Sequence, residues 1–125
     1  MIYAVGTDLV EVARVERILE KWRERFVRKV YSDGEIRYCR GKRCPARHFA
    51  ARFAAKEAFL KGMGLGMAGG IGLRDVEVTV GSEGNPELRF HGRAREAVDG
   101  AGITEHHISL SHTDRYAVAF VVFEK

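Results

Sequence analysis

PARHFAARFAAKEAFLK, running from Pro45 to Lys61, decides the fold. It reads as one long helix. The chain breaks from Gly41 to Pro45 before it, and a glycine run from Gly62 closes it. Near its end stand a carboxylate, Glu57, and an ammonium, Lys61, four residues apart. At 3.6 residues per turn the two share one helix face. A carboxylate can hold a hard cation, and a lysine beside it can hold phosphate. An ordinary surface ion pair has the same spacing and is worth only a few tenths of a kcal/mol, so the pair must be weighed with its surroundings.

Working outward toward the N-terminus, Ser32 and Glu35 have capping-box spacing and open a short helix. Phe26 to Tyr31 predicts another short helix. Val12, Val15, Ile18, Leu19 and Trp22 recur with a helical period, which makes them the core face of a first helix. Arg14, Arg17 and Lys21 occupy its opposite face. Ile2 to Leu9 is β-prone and predicts the first strand. Toward the C-terminus, six glycines in the eleven residues from Gly62 to Gly72 cannot sustain helix. They could let backbone N–H groups approach a phosphate closely. Val76 to Val80 and Glu87 to His91 predict two strands, joined by a turn over Ser82 to Pro86. Gly92 to Gly100 fits a short helix. Ile108 to His112 and Tyr116 to Phe123 predict a final hairpin. Its last strand is almost wholly apolar and is expected to be buried on both faces. This order implies an α+β fold, an antiparallel sheet packed on a long helix.

The chain has 125 residues, 46% of them hydrophobic and 30% charged, which fits one domain spanning 1–125. No apolar run approaches a membrane span, and no signal peptide opens the chain, so neither a membrane nor export is expected. Cys39 and Cys44 match no zinc spacing and read as reduced thiols of a cytoplasmic protein. The net charge of +4 is unevenly spread. From Arg14 to Lys61 there are 15 Lys/Arg against 6 Asp/Glu, a balance of +9, and the rest of the chain carries −5. Such a basic half predicts an anionic partner. A basic nucleic-acid-binding module without catalysis is the competing reading. The chain has no nucleic-acid motif, and its aromatics do not interleave with its basic residues as a stacking platform.

Asp8 follows an apolar strand just before the first helix, where it suits either a helix cap or a cleft at the sheet end. Asp8 with Glu57 would make a two-carboxylate site for Mg²⁺, an ion usually held by one or two carboxylates plus substrate phosphates. Ser109, Ser111 and His112 cluster hydroxyls and an imidazole at a strand end, fit to bind phosphate or move a proton. No Gly-x-Ser-x-Gly elbow and no Walker-type lysine is present.

In order, the chain carries Gly6-Thr7-Asp8, then Arg52-Phe53-Ala54-Ala55-Lys56-Glu57-Ala58 with Lys61. Next come Gly62-x-Gly64-x-Gly66, Gly84-x-Pro86, and Ser109-Leu110-Ser111-His112 followed by Tyr116-Ala117. That set resembles the holo-[acyl-carrier-protein] synthases, the small 4′-phosphopantetheinyl transferases, over nearly the whole chain. Thr7 departs mildly from an often aliphatic position. The resemblance implies Mg²⁺-dependent transfer of 4′-phosphopantetheine from coenzyme A to a serine of apo-acyl carrier protein, releasing adenosine 3′,5′-bisphosphate. It implies a homotrimer with interfacial active sites. Asp8 and Glu57 match metal ligands, Lys61 a lysine near the transferred phosphate, and His112 the histidine of the C-terminal motif. Arg52, Lys61, Gly64, Gly66, Pro86, Ser111 and His112 become the coenzyme A-binding positions. Arg14 and Lys21 match basic docking positions for the carrier, and Arg17 joins them by helix geometry. The serine proton has three candidate acceptors: a metal-polarised water, one of the carboxylates, or His112.

Overall fold

The helix read from Pro45 is buried on nearly every side, and the rest of the chain is arranged to bury it. The computed structural model describes residues 1–66 and 70–125. Its elements run β1 (Ile2–Glu11), α1 (Val12–Val30), α2 (Asp33–Arg40), α3 (Pro45–Met63), β2 (Val76–Val80), β3 (Pro86–Phe90), α4 (Gly92–Gly100), β4 (Glu105–His112) and β5 (Tyr116–Glu124). A 3-10 turn, Leu73–Asp75, precedes β2. The fold is α+β. An antiparallel sheet of order β1-β5-β4 packs on α3, and β2 and β3 form a separate hairpin.

Small residues bring helix and sheet together. Ala50, Ala51, Ala54, Ala55 and Ala58 of α3 are buried, as are Ala117 and Ala119 of β5. Phe59 and Phe123 fill the space further along, edge to face at 5.7 Å. Such a pair contributes about 1 kcal/mol beyond its buried area. Gly62 does not end the helix; α3 runs to Met63, and a Cβ at Gly62 would lie 3.2 Å from the Gly6 backbone. The terminator is Gly64, in the left-handed conformation (φ 69°). Leu65 N–H donates to Leu60 C=O across it at 2.9 Å, a glycine-closed helix end. The glycine-rich expectation is otherwise only partly visible, since Met67, Ala68 and Gly69 lie outside the described residues.

The capping box at Ser32 and Glu35 is formed in full. The two helices expected before it are joined as one kinked element. Arg23 sits at φ 45°, ψ −129° between them, a conformation favourable only to glycine. This break corrects the expected core face of the first helix. Val12 and Val15 are buried and Ile18 and Leu19 partly so, but Trp22 is 46% exposed. The helix breaks at Arg23, immediately after Trp22, and Lys21 extends over the Trp22 ring. Replacing Arg23 by glycine should stabilise the protein by about 1 kcal/mol, because the backbone strain goes and only an exposed hydrogen bond to Glu20 C=O is lost. Chemical denaturation checks this, and a lower midpoint in Arg23→Gly would contradict it.

Strand β5 corrects a second expectation. It is central, yet it is not buried on both faces. Ala117, Ala119, Val121 and Phe123 face α3 with no exposure, while Tyr116 and Phe120 on the other face are about half exposed. Period-two alternation holds even in an apolar strand, and only one side of this sheet is covered within the chain. The open face also carries Val5 and Leu9 of β1. Among the described residues, no helix is long and apolar enough to cross a membrane.

Candidate active site

Asp8 is not a helix cap. It lies inside β1, opposite Ala119 of β5, and the helix cap is Glu11. Alternation along β1 turns Asp8 inward, between Gly6 and Val10, so its carboxylate meets α3. Lys61 of α3 reaches it, Nζ to Oδ1 at 3.3 Å, with the Asp8 side chain 18% exposed. Glu57, one turn before Lys61, stands on the same side. Its pKa is raised, first by burial and then by the Asp8 carboxylate, with Lys61 and Arg14 pulling the other way. Asp8, Glu11, Arg14, Phe53, Glu57 and Tyr116 line one open cavity of about 530 Å³.

Glu57, whose proton affinity is raised by burial and by the neighbouring Asp8, forms with Asp8 a hard oxygen donor set with excess negative charge. A divalent cation such as Mg²⁺ suits that set, because it relieves the repulsion and needs only one or two protein carboxylates. Asp8 and Glu57 are the residues that would hold it.

The remaining expected positions gather elsewhere. Arg52, Pro86 and His112 line a second cleft, of about 180 Å³, with Tyr38 and His48. Arg52 is only 4% exposed, its guanidinium stacks 4.1 Å above the Tyr38 ring, and its Nε has no hydrogen-bond partner among the described residues. A buried cation with an unused donor favours an anion beside it. His48 and His112 meet edge to face at 5.1 Å. The pKa of His48 is lowered, first by burial and then by His112, with Arg52, Lys42 and Arg47 adding positive charge.

Ser111 does not cluster with His112. Alternation along β4 puts Ser109 and Ser111 on the open face of the sheet and His112 on the side of α3. The Ser-x-Ser-His string therefore addresses two faces. Gly64 and Gly66 both take positive φ after α3, and a side chain at either would meet nothing within 4 Å. Arg14, Arg17 and Lys21 are exposed on α1, and Arg14 also lines the carboxylate cavity. Arg17 pairs with Glu11 at 3.7 Å.

Sequence reasoning missed Tyr38 and His48 in the second cleft. His48 and Arg52 lie four residues apart on α3, the same spacing that drew attention to Glu57 and Lys61. It also missed a buried ion pair, Lys56 with Glu35 at 2.8 Å. Glu35 had been accounted for by the capping box alone.

Residues 4–121 match the 4′-phosphopantetheinyl transferase superfamily. The chain is 48% identical to a holo-[acyl-carrier-protein] synthase of Syntrophus aciditrophicus over 99% of its own length and 97% of the relative's. It is 44% identical to one of Koribacter versatilis, over 99% of both chains. Among solved structures, the holo-[acyl-carrier-protein] synthase of Neisseria meningitidis superposes with a TM-score of 0.90 at 32% identity, covering 100% of both chains. That of Helicobacter pylori, in complex with coenzyme A, superposes with a TM-score of 0.84 at 27% identity, covering 96% of this chain and 99% of the other.

Proposed function

The chain belongs to the 4′-phosphopantetheinyl transferase superfamily, among the holo-[acyl-carrier-protein] synthases, and we propose that it moves 4′-phosphopantetheine from coenzyme A to a serine of apo-acyl carrier protein. The observation that carries this reading is the cavity lined by Asp8 and Glu57, with Lys61 reaching Asp8 at 3.3 Å. The carrier serine oxygen bonds to the β-phosphorus of coenzyme A. The phosphoanhydride bond breaks, adenosine 3′,5′-bisphosphate leaves, and the serine proton passes to a base at the site. Phosphoryl transfer asks mainly for charge neutralisation and alignment. Mg²⁺ held by Asp8 and Glu57 would neutralise charge on the pyrophosphate. Lys61 presents its ammonium to oxygens of the same group, within reach of Asp8. Incubation with coenzyme A, Mg²⁺ and an apo-carrier tests the reading. The carrier gains the mass of one phosphopantetheine arm, and an unchanged carrier with active controls refutes transfer.

Arg52 and His112 serve the coenzyme rather than the chemistry, since both line the second cleft, away from the carboxylates. His112→Ala should raise the KM for coenzyme A about tenfold, with kcat within about threefold of wild type. A large fall in kcat at unchanged KM would make His112 the base. A cleft for the nucleotide and a cavity for the pyrophosphate within one chain fit sites completed by a neighbouring subunit. The open sheet face with Val5, Leu9 and Phe120 supplies apolar surface for that association. The assembly proposed is a trimer, and light scattering should give three times the 14.0 kDa of one chain. A monomer at micromolar concentration would overturn it.

Carrier docking is assigned to α1. Arg14, Arg17 and Lys21 form an exposed basic stripe bordering the carboxylate cavity through Arg14. Arg14→Glu with Lys21→Glu should raise the KM for the acidic carrier about tenfold at low salt, more than it raises the KM for coenzyme A. Added salt should weaken the wild-type interaction. Equal carrier KM in both proteins would leave the stripe merely solvated.

A further inference from the structure

Two of the chain's five histidines pair with carboxylates, His91 with Glu77 at 3.0 Å and His107 with Glu124 at 2.7 Å. A third, His106, accepts from Leu88 N–H at 3.3 Å. His48 and His112 have a different setting. His48 of α3 and His112 at the end of β4 meet edge to face at 5.1 Å in the second cleft. Cations are close by. Arg52, one turn on from His48, and Lys42 both lie over the Tyr38 ring, at 4.1 and 4.5 Å. That ring in turn meets His48 edge to face at 5.9 Å. Arg47 adds a further positive charge, and the Asp114 carboxylate in the turn after β4 is bound to Arg47 at 2.8 Å. The hairpin side of the cleft, Val80, Gly84 and Pro86, brings no charge.

Such a cleft is short of negative charge. Arg52 is buried with its Nε unpaired among the described residues. Burial, then His112 and the cations Arg52, Lys42 and Arg47, lower the His48 pKa from its ordinary value of 6.5. At neutral pH His48 is therefore mostly an uncharged ring, with one donor and one acceptor. A phosphate oxygen beside Arg52 reverses the balance. It accepts hydrogen bonds, and its charge favours the imidazolium, which has two donors. An opposite charge at short range moves a pKa by about 1–3 units. Imidazole is the side chain whose ordinary pKa lets it make that exchange close to neutral pH. Arg52 stays protonated throughout and cannot.

We propose that His48 is a coenzyme-binding residue of the second cleft: when a phosphate group of coenzyme A enters beside Arg52, the His48 imidazole takes a proton from solvent and donates to that phosphate. The proposal rests on the transferase reading and adds to its nucleotide cleft a residue and a proton. No bond within coenzyme A changes in this step. A complex that holds more protons than its free components tightens as the pH falls. The gain is complete below the free value of His48 and is lost as the pH rises through the value in the complex. A phosphomonoester acts with the opposite sign, since its second pKa is about 6 and cations help it lose that proton. At pH values well above that it is already dianionic, and uptake by His48 stands clear.

The test compares full-length wild type, His48→Gln and His112→Gln. The Gln amide keeps a donor and an acceptor and has no proton to gain. Calorimetry of coenzyme A binding at saturating Mg²⁺, in buffers of different ionisation enthalpy, counts the protons. Contributions from the carboxylates and from the phosphates are common to wild type and His48→Gln and cancel in the difference. At about pH 7.5 wild type should take up about half a proton more than His48→Gln. From about pH 6.5 to about pH 8.5 its Kd for coenzyme A should rise about tenfold more than that of the variant. Equal uptake and equal pH dependence in the two proteins overturn the proposal. Uptake that persists in His48→Gln and disappears in His112→Gln overturns it too, because the proton then sits on the other ring. A second measurement needs no variant to fold. The His48 ring resonances of wild type, followed by NMR, should titrate with a higher midpoint when coenzyme A is bound, and an unchanged or lower midpoint overturns the proposal. A wild type that neither binds coenzyme A nor modifies a carrier would overturn the transferase reading and this proposal with it, whereas transfer with no change at His48 overturns this proposal alone.

Discussion

Glu57→Gln should fold normally, lose transfer by on the order of 10³-fold, and melt at or slightly above the wild-type temperature at neutral pH. The activity loss corresponds to about 4 kcal/mol, the scale of charge stabilisation that a bound cation supplies. The amide keeps the shape of the side chain and removes the charge that completes the donor pair with Asp8. Asp8→Ala should fail similarly, and it also leaves Lys61 without its 3.3 Å partner. The stability gain follows from the raised pKa of Glu57, caused first by burial and then by Asp8. A carboxyl with a higher pKa folded than unfolded binds more protons in the native state. Its ionisation therefore opposes folding. The penalty is absent well below the ordinary value of 4.5 and complete once the pH has passed the raised folded value. Glu57 is partly solvated, so the effect is small, but its sign is fixed. Wild type should lose a little stability across that window, and Glu57→Gln should not. Near-wild-type turnover of either folded variant at limiting Mg²⁺ would remove the two-carboxylate site. A clearly lower melting temperature for Glu57→Gln at neutral pH would show that Glu57 supports the fold instead of burdening it.

The helix that carries Glu57 was legible in the sequence, and its contact with Asp8 was not. The helix from Pro45, the capping box at Ser32 and the short helix Gly92–Gly100 are written in local spacing and composition, and each occurs where expected. Asp8 and Glu57 are 49 positions apart. No period links them; donor chemistry and the ordered motifs suggested the pairing. The faces of the final hairpin show the opposite weakness. An apolar strand looks buried on both sides, but exposure depends on what covers the sheet, and Tyr116 and Phe120 have no cover within the chain. Trp22 misled for a related reason: a helical period extends through it, but the strained backbone at Arg23 does not. Lys56 and Glu35 were read separately, as a motif residue and a cap. Their pairing depends on the tertiary path that brings α2 and α3 together.

Gly6→Ala should be the most damaging alanine substitution among the described glycines, destabilising the protein by about 3 kcal/mol or more. A Cβ at Gly6 would lie 1.9 Å from the carbonyl oxygen of Ala58 and 3.0 Å from the backbone nitrogen of Gly62. Both neighbours are helix backbone, so no side chain can rotate aside. Either β1 lifts from α3 or the helix bends, and both movements open the core around Phe59 and Phe123. The same movement reaches the chemistry. Asp8 is two residues further along the same inward face of β1, and Glu57 adjoins Ala58 on α3. The contact that excludes a methyl group at Gly6 therefore also sets the separation of the two carboxylates. At temperatures where Gly6→Ala remains folded, transfer should still fall about tenfold or more and require more Mg²⁺, because 1 Å of misplacement is costly in a site built on positioning. Thr7→Ala, one residue on and facing the open side of the sheet, should change neither property appreciably. Melting curves and Mg²⁺ titrations of the two variants separate the possibilities. A Gly6→Ala protein as stable as wild type would mean that β1 and α3 are not in this close contact. One that is destabilised yet keeps normal Mg²⁺ dependence would mean that Asp8 is positioned by β5 alone.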